Sequence, residues 1–110
     1  MLSAKELTPG ERLLIVRRRE GTTKADCASG CGVTLYRYNR WESDDEVGPT
    51  AKTGRLAFHE QSMLLRRRAG VSVADFAKLV GVSPWWLRQM EIGEAPDDRL
   101  RAYWADAGAA

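Results

Sequence analysis

Val73 to Glu91 reads VADFAKLVGVSPWWLRQME, and its punctuation predicts two short helices joined by a tight corner. Ser72 stands three positions before Asp75 and ahead of an apolar-periodic run, the pattern of a helix start near Val73. Phe76 and Val80 lie four apart on one face, and Ala77 is small where a second helix has to cross closely. Gly81 can take the positive φ that stops a helix abruptly, with Val82 plugging the corner. Ser83 and Pro84 then open a second helix as cap and first residue. Its Leu87 and Met90 are spaced to pack back on Phe76 and Ala77, which turns Trp85, Trp86, Arg88 and Gln89 outward.

The pattern occurs twice. Displacing the chain by 49 positions lays Leu7–Glu42 over Leu56–Glu91 without a gap, with twelve identities in 36 positions. The identities fall at turn, cap and small-residue sites, among them Gly21/Gly70, Asp26/Asp75, Ala28/Ala77, Gly32/Gly81 and Glu42/Glu91. An internal repeat of this length predicts an all-α chain of two tandem small helix-turn-helix units. The expected boundaries are 1–42 for the first unit, 43–55 for an acidic linker containing Gly and Pro, and 56–110 for the second unit with a C-terminal helix.

Units of about 50 residues have thin cores. The two are therefore expected to pack on each other or on a second copy. No run of the 110 residues approaches the roughly 20 apolar positions that span a bilayer, and MLSAKELTPGERLL lacks the apolar centre of a signal peptide. A cytoplasmic protein without membrane contact is expected. The net charge of +2 is too small to argue for nucleic acid by itself. Residues 1–55 carry ten Lys/Arg against eight Asp/Glu and residues 56–110 seven of each, so if either unit is the stronger electrostatic binder, it is the first.

Cys27 and Cys31 have the spacing C-x3-C, but they align with Phe76 and Val80, so both are expected in the core as small hydrophobes. With His59 the single histidine, the usual four zinc ligands cannot be assembled in one chain. Neither a metal nor a cofactor is expected. No nucleophile–base pair or glycine-rich phosphate loop is present, which argues against an enzyme.

In chain order, Thr8-Pro9-Gly10-Glu11 predicts a capping box and a helix to about Arg19. Leu13 to Val16 are continuously apolar, more than one stripe requires. Thr23 with Asp26 caps the next helix, in which Gly30 replaces Leu79 and weakens the helix by about 1 kcal/mol unless something packs closely there. Thr34 caps LYRYNRWE, with Tyr38 and Trp41 inward and Tyr36, Arg37, Asn39 and Arg40 outward. Asp97 and Asp98 open a last helix whose Leu100, Tyr103 and Trp104 close the second core, followed by ADAGAA as a frayed tail.

RRRAGVSVADFAKLVGVSPWWLRQMEIGEAP and the more divergent RRREGTTKADCASGCGVTLYRYNRWE resemble the Cro and phage-repressor class of helix-turn-helix proteins, over Leu7–Glu42 and Leu56–Pro96. The resemblance implies internal salt bridges Arg17/Glu42 and Arg66/Glu91. It also implies bacterial or phage DNA binding, commonly repression, by a dimer on a palindromic site. The matched recognition positions are Thr34, Leu35, Tyr36, Arg37 and Arg40 in one unit and Ser83, Trp85, Trp86, Arg88 and Gln89 in the other. Arginine can read guanine with two hydrogen bonds and Gln89 could read adenine.

Two features pull against a uniform DNA reader. Trp85 and Trp86 look as much like a protein-contact patch as a base reader. The loops after the recognition helices carry Asp44, Asp45 and Glu46 in one unit and Glu94, Asp97 and Asp98 in the other, and carboxylates oppose phosphates. The first expectation is a sequence-specific transcriptional regulator of double-stranded DNA, a repressor able to form a homodimer. The alternative is a helix-turn-helix adaptor, antiactivator or antitoxin-like, that occupies a protein regulator through Trp85 and Trp86.

Overall fold

Local capping chemistry sets the elements. In the computed structural model, which describes residues 1–107, the chain is all-α, with no strand among the described residues. A single 3-10 turn, Ala4–Glu6, precedes α1 (Pro9–Glu20), α2 (Lys24–Cys31), α3 (Leu35–Glu42), α4 (Phe58–Arg68), α5 (Val73–Val80), α6 (Pro84–Glu91) and α7 (Asp98–Asp106). Hydroxyls at Thr8, Thr23, Thr34, Ser72 and Ser83 each accept the backbone N–H three residues on, at 3.1 Å. These bonds satisfy amides that the first helical turn leaves unpaired. The chain divides into two compact units, Ser3–Arg55 and Leu56–Ala110 with Met1–Leu2.

In the first unit, Thr8 and Glu11 form a full reciprocal capping box, Glu11 Oε1 accepting from Thr8 N at 3.0 Å. Gly32 turns left-handed at φ 70° to end α2, and α3 packs against both α1 and α2. Ala28, Tyr38 and Trp41 are buried, with Leu13, Cys27 and Val33 packed on them. Residues 43–55 contain no helix, but they are fastened to this unit. Gly48 lies so close to Trp41 that an added Cβ would stand 2.6 Å from its Cγ. Arg19, at the end of α1, donates to the carbonyls of Thr53 and Arg55.

In the second unit, α4, α5 and α6 begin 49 positions after α1, α2 and α3. Ala57 stands where Thr8 stood and has no side-chain acceptor, so only half of the box survives, Glu60 Oε1 accepting from Ala57 N at 2.9 Å. Phe76, Ala77, Val80, Leu87, Met90 and Leu100 form the core, against which Tyr103 and Trp104 of α7 pack. Phe76 lies edge-on to Tyr103, with ring centroids 5.0 Å apart, and the Trp104 indole N–H donates to Ser62 Oγ at 2.8 Å.

Two expectations, the buried cysteines and the frayed tail, need correction. Cys31 is exposed and Cys27 only half-buried, unlike Val80 and Phe76 in the other unit. The cause is that the first unit has no helix corresponding to α7, leaving an open apolar groove lined by Leu13, Val16, Cys27, Gly30, Cys31 and Tyr38. Nothing lies within 4 Å of a Cβ built on Gly30, so no close packing explains that glycine. Ala105 and Asp106 are helical rather than frayed, and Ala107 caps α7 with its N–H on the Tyr103 carbonyl; residues 108–110 of the expected tail lie outside the described residues.

Candidate nucleic-acid interface

A helix that reads DNA has to be held rigidly while its outer face stays open. For α3 the rigidity comes from Arg17, which grips Glu42 through two bonds, Nε to Oε2 at 2.6 Å and Nη2 to Oε1 at 3.2 Å. Arg17 also donates to the Thr22 carbonyl at 3.3 Å. The hydrogen bond to Glu42, followed by its charge, holds the Arg17 guanidinium above its ordinary pKa against the lowering effect of burial. Arg66 makes the same pattern with Glu91 for α6, at 2.7 and 3.0 Å, and donates to the Val71 carbonyl at 2.9 Å. Charge-assisted forks of this kind fix both distance and angle between helices.

Tyr38, on the inner face of α3, is 2% exposed. Burial first, and then its hydrogen bond to Glu42, pushes its phenol well above the usual tyrosine range. Its hydroxyl therefore serves the bridge rather than the surface.

The outer face of α3 carries Tyr36, Arg37 and Asn39 exposed and Arg40 half-buried. Tyr36 is 72% exposed. The Arg40 guanidinium lies 5.9 Å from the Tyr36 ring centroid and donates to the Asp45 carbonyl at 3.4 Å. Arg37 sits 5.7 Å from the Trp41 ring centroid. Thr34 is exposed at the start of α3; its oxygen accepts from Arg37 N, which leaves its O–H available to donate to a phosphate. Leu35 is exposed beside it.

The acidic loop behaves differently from a simple phosphate-repelling segment. Asp44 adopts φ 64°, and its carboxylate turns to the start of α1, accepting from Gly10 N at 2.8 Å and from the Thr8 hydroxyl. That carboxylate is used by the helix N-terminus, where negative charge is favourable. Asp45 accepts from Ser43 Oγ at 3.0 Å. Glu46 pairs with Arg37, Oε2 to Nε at 3.1 Å. No spacing rule in the sequence anticipates the Arg37–Glu46 pair. The Asp44 contact had a trace: under the 49-residue displacement Gly10 becomes His59 and Asp44 becomes Gly93, a reciprocal exchange of small and large. In the second unit Gly93 lies under the His59 ring, at 3.0 Å from an added Cβ.

On α6, Ser83, Trp85, Trp86 and Arg88 are exposed and Gln89 is half-buried. Neither tryptophan folds into the core: Trp85 is 61% and Trp86 38% exposed, with ring centroids 5.9 Å apart. Leu79 and Ile92 are also exposed. Of the acids that follow, Asp97 accepts from Arg101 Nε at 3.0 Å, while Glu94 and Asp98 are exposed.

Residues 64–105 match a family model described as a helix-turn-helix domain, a stretch that runs from within α4 almost to the end of α7. No curated protein matched the chain, and no solved structure did. The match supports a helix-turn-helix of the general kind, with DNA binding as its general activity. No helix among the described residues is long and apolar enough to cross a membrane.

Proposed function

We propose that this chain is a sequence-specific DNA-binding transcriptional regulator, a repressor of the Cro type that carries two tandem helix-turn-helix units. The observation that carries the reading is the outer face of α3, where Tyr36, Arg37, Asn39 and Arg40 stand together on a helix bridged to α1 through Arg17 and Glu42. The first turn of α3 enters the major groove, Arg37 reads a guanine edge, and Thr34 with the amides of the helix start contacts phosphate. Arg40 steadies the approach through phosphate or a neighbouring base. Repression follows from occluding a promoter. The repeat supports the tandem reading: caps, left-handed glycine corners and helix starts recur at the same displacement.

The test is a titration of the protein against fragments from its own gene neighbourhood, at two salt concentrations, with random DNA as competitor. Tight, competitor-resistant binding that weakens steeply with salt is expected, and Arg37→Ala with Arg40→Ala abolishes the preference without lowering the melting temperature. Unchanged affinity in that double variant refutes the site.

A second reading is favoured by one observation on the other unit. Two exposed indoles on α6, with Leu79 and Ile92 also exposed, make an unusually apolar surface for contact with a polyanion. In this reading α6 docks on a protein regulator, the protein is an adaptor, and binding is insensitive to salt. Absence of any preference over random DNA decides for it.

A further inference from the structure

Arg37 is held in an informative way. Its Nε donates to Glu46, and among the described residues neither of its terminal nitrogens has a hydrogen-bond partner. Its guanidinium also lies beside Trp41, at 5.7 Å from the ring centroid. Glu46 is itself anchored, because its N–H donates to the Arg40 carbonyl at 3.2 Å. On either side of it the loop is fastened by Asp44 on α1 and by Gly48 against Trp41. The carboxylate thus approaches Arg37 from a fixed backbone and occupies one edge of the guanidinium. The terminal edge, with both Nη nitrogens, is left as a two-pronged donor on a side chain that is 56% exposed. The second unit lacks the arrangement, having Trp86 and Ala95 at the corresponding positions.

We infer that Glu46 is a positioning residue that makes Arg37 a reader of bases rather than a clamp for phosphate, an inference that rests on the DNA-reading function proposed above. An unpaired arginine on a recognition helix is drawn to the nearest phosphate, since that attraction is long-ranged and indifferent to sequence. Pairing with Glu46 makes the couple neutral at a distance. What remains is the directional capacity of the two terminal N–H groups, which match the O6 and N7 acceptors of guanine. The carboxylate also prevents the side-on approach through Nε, leaving one orientation of the fork. Glu46 consequently lowers affinity for DNA in general and raises discrimination at one base pair.

The experiment is selection from a pool of short randomised duplexes with the full chain, run in parallel for wild type, Arg37→Ala, Glu46→Gln and Glu46→Ala, followed by binding to the selected duplex and to random duplex. Wild type is expected to enrich a motif with a G·C pair that Arg37→Ala no longer selects. Both Glu46 variants should lose that same preference about tenfold, while binding random duplex more tightly and with a salt dependence steeper by about one phosphate contact. A loss of fold would weaken both kinds of binding together, so opposite movement of the two is the signature. A Glu46→Gln motif identical to wild type, parallel changes in the two affinities, or retention of the preference by Arg37→Ala overturns the inference while the DNA reading stands. Failure of wild type to enrich any sequence overturns the DNA reading and this inference with it.

Discussion

The two units place the same helices at the same displacement, yet they complete their cores differently. In the second, α7 lays Leu100, Tyr103 and Trp104 over α5, so that Phe76 and Val80 are buried. In the first, Cys27, Gly30 and Cys31 occupy the corresponding face of α2 and an open groove remains. The first unit draws instead on polar fastenings: a full capping box at Thr8, the Asp44 carboxylate on the start of α1, Tyr38 on the bridge, and Arg19 on the carbonyls of residues 53 and 55. One helical layout can therefore be closed by an added apolar helix or by hydrogen bonds from its own loops. The comparison also separates the outer faces, cationic and aromatic on α3 and dominated by indole on α6.

The comparison is broken most directly at the bridges. Glu91→Ala leaves Arg66, whose side chain is 9% exposed, without its counter-ion and should cost about 3–5 kcal/mol. Glu42→Ala should cost less, about 2 kcal/mol, because Arg17 reaches more water. Urea unfolding followed through the indole N–H resonances of Trp41 and Trp104 reports the two units separately. Equal losses would mean that burial does not set the worth of these pairs.

A second comparison uses the exchanged small residue. A Cβ on Gly10 would stand 2.6 Å from the carbonyl oxygens of Trp41 and Glu42, so Gly10→Ala should destabilise the first unit by about 1–3 kcal/mol. His59→Ala, at the corresponding place in the second unit, removes bulk instead of adding it, and its midpoint should move by less than about 1 kcal/mol. A Gly10→Ala protein with the wild-type midpoint would show that the loop gives way freely.

The smallest effect concerns pH. Tyr38 has a folded pKa raised above its unfolded value of about 10, so its contribution is complete below that pH and is lost as pH rises beyond it, when the unfolded chain releases the proton first. Tyr38→Phe should cost about 1 kcal/mol near pH 7 and flatten the decline of stability between about pH 10 and pH 11. The second unit has Leu87 at this position and no such contribution. Unfolding midpoints measured across that range decide it, and an unflattened decline would place the alkaline sensitivity elsewhere.

The helices were legible because their signals are local: a hydroxyl before the starts of α1, α2, α3, α5 and α6, proline at Pro9 and Pro84, and glycine at Gly32 and Gly81 act over three or four residues. The inward positions were legible from periodicity, as Tyr38, Trp41, Leu87 and Met90 illustrate. Periodicity failed at Cys31, since it specifies which face turns inward but not whether another element covers that face. For the outer face of α3, the sequence indicated which side chains stand there. It did not indicate that Glu46, nine residues further on, would take hold of Arg37, because that pairing depends on how the loop leaves the helix.

What the sequence determined by itself was the helical layout, its recurrence at 49 residues, and the chemistry presented on each outer face. Only the tertiary structure decided that Asp44 turns to Gly10 and Glu46 to Arg37, that the groove beside Cys27 stays open, and that both indoles of α6 remain in solvent. Those outcomes depend on contacts between residues far apart in the chain, whose energies follow from distance and burial, and neither quantity is encoded in any short stretch of residues.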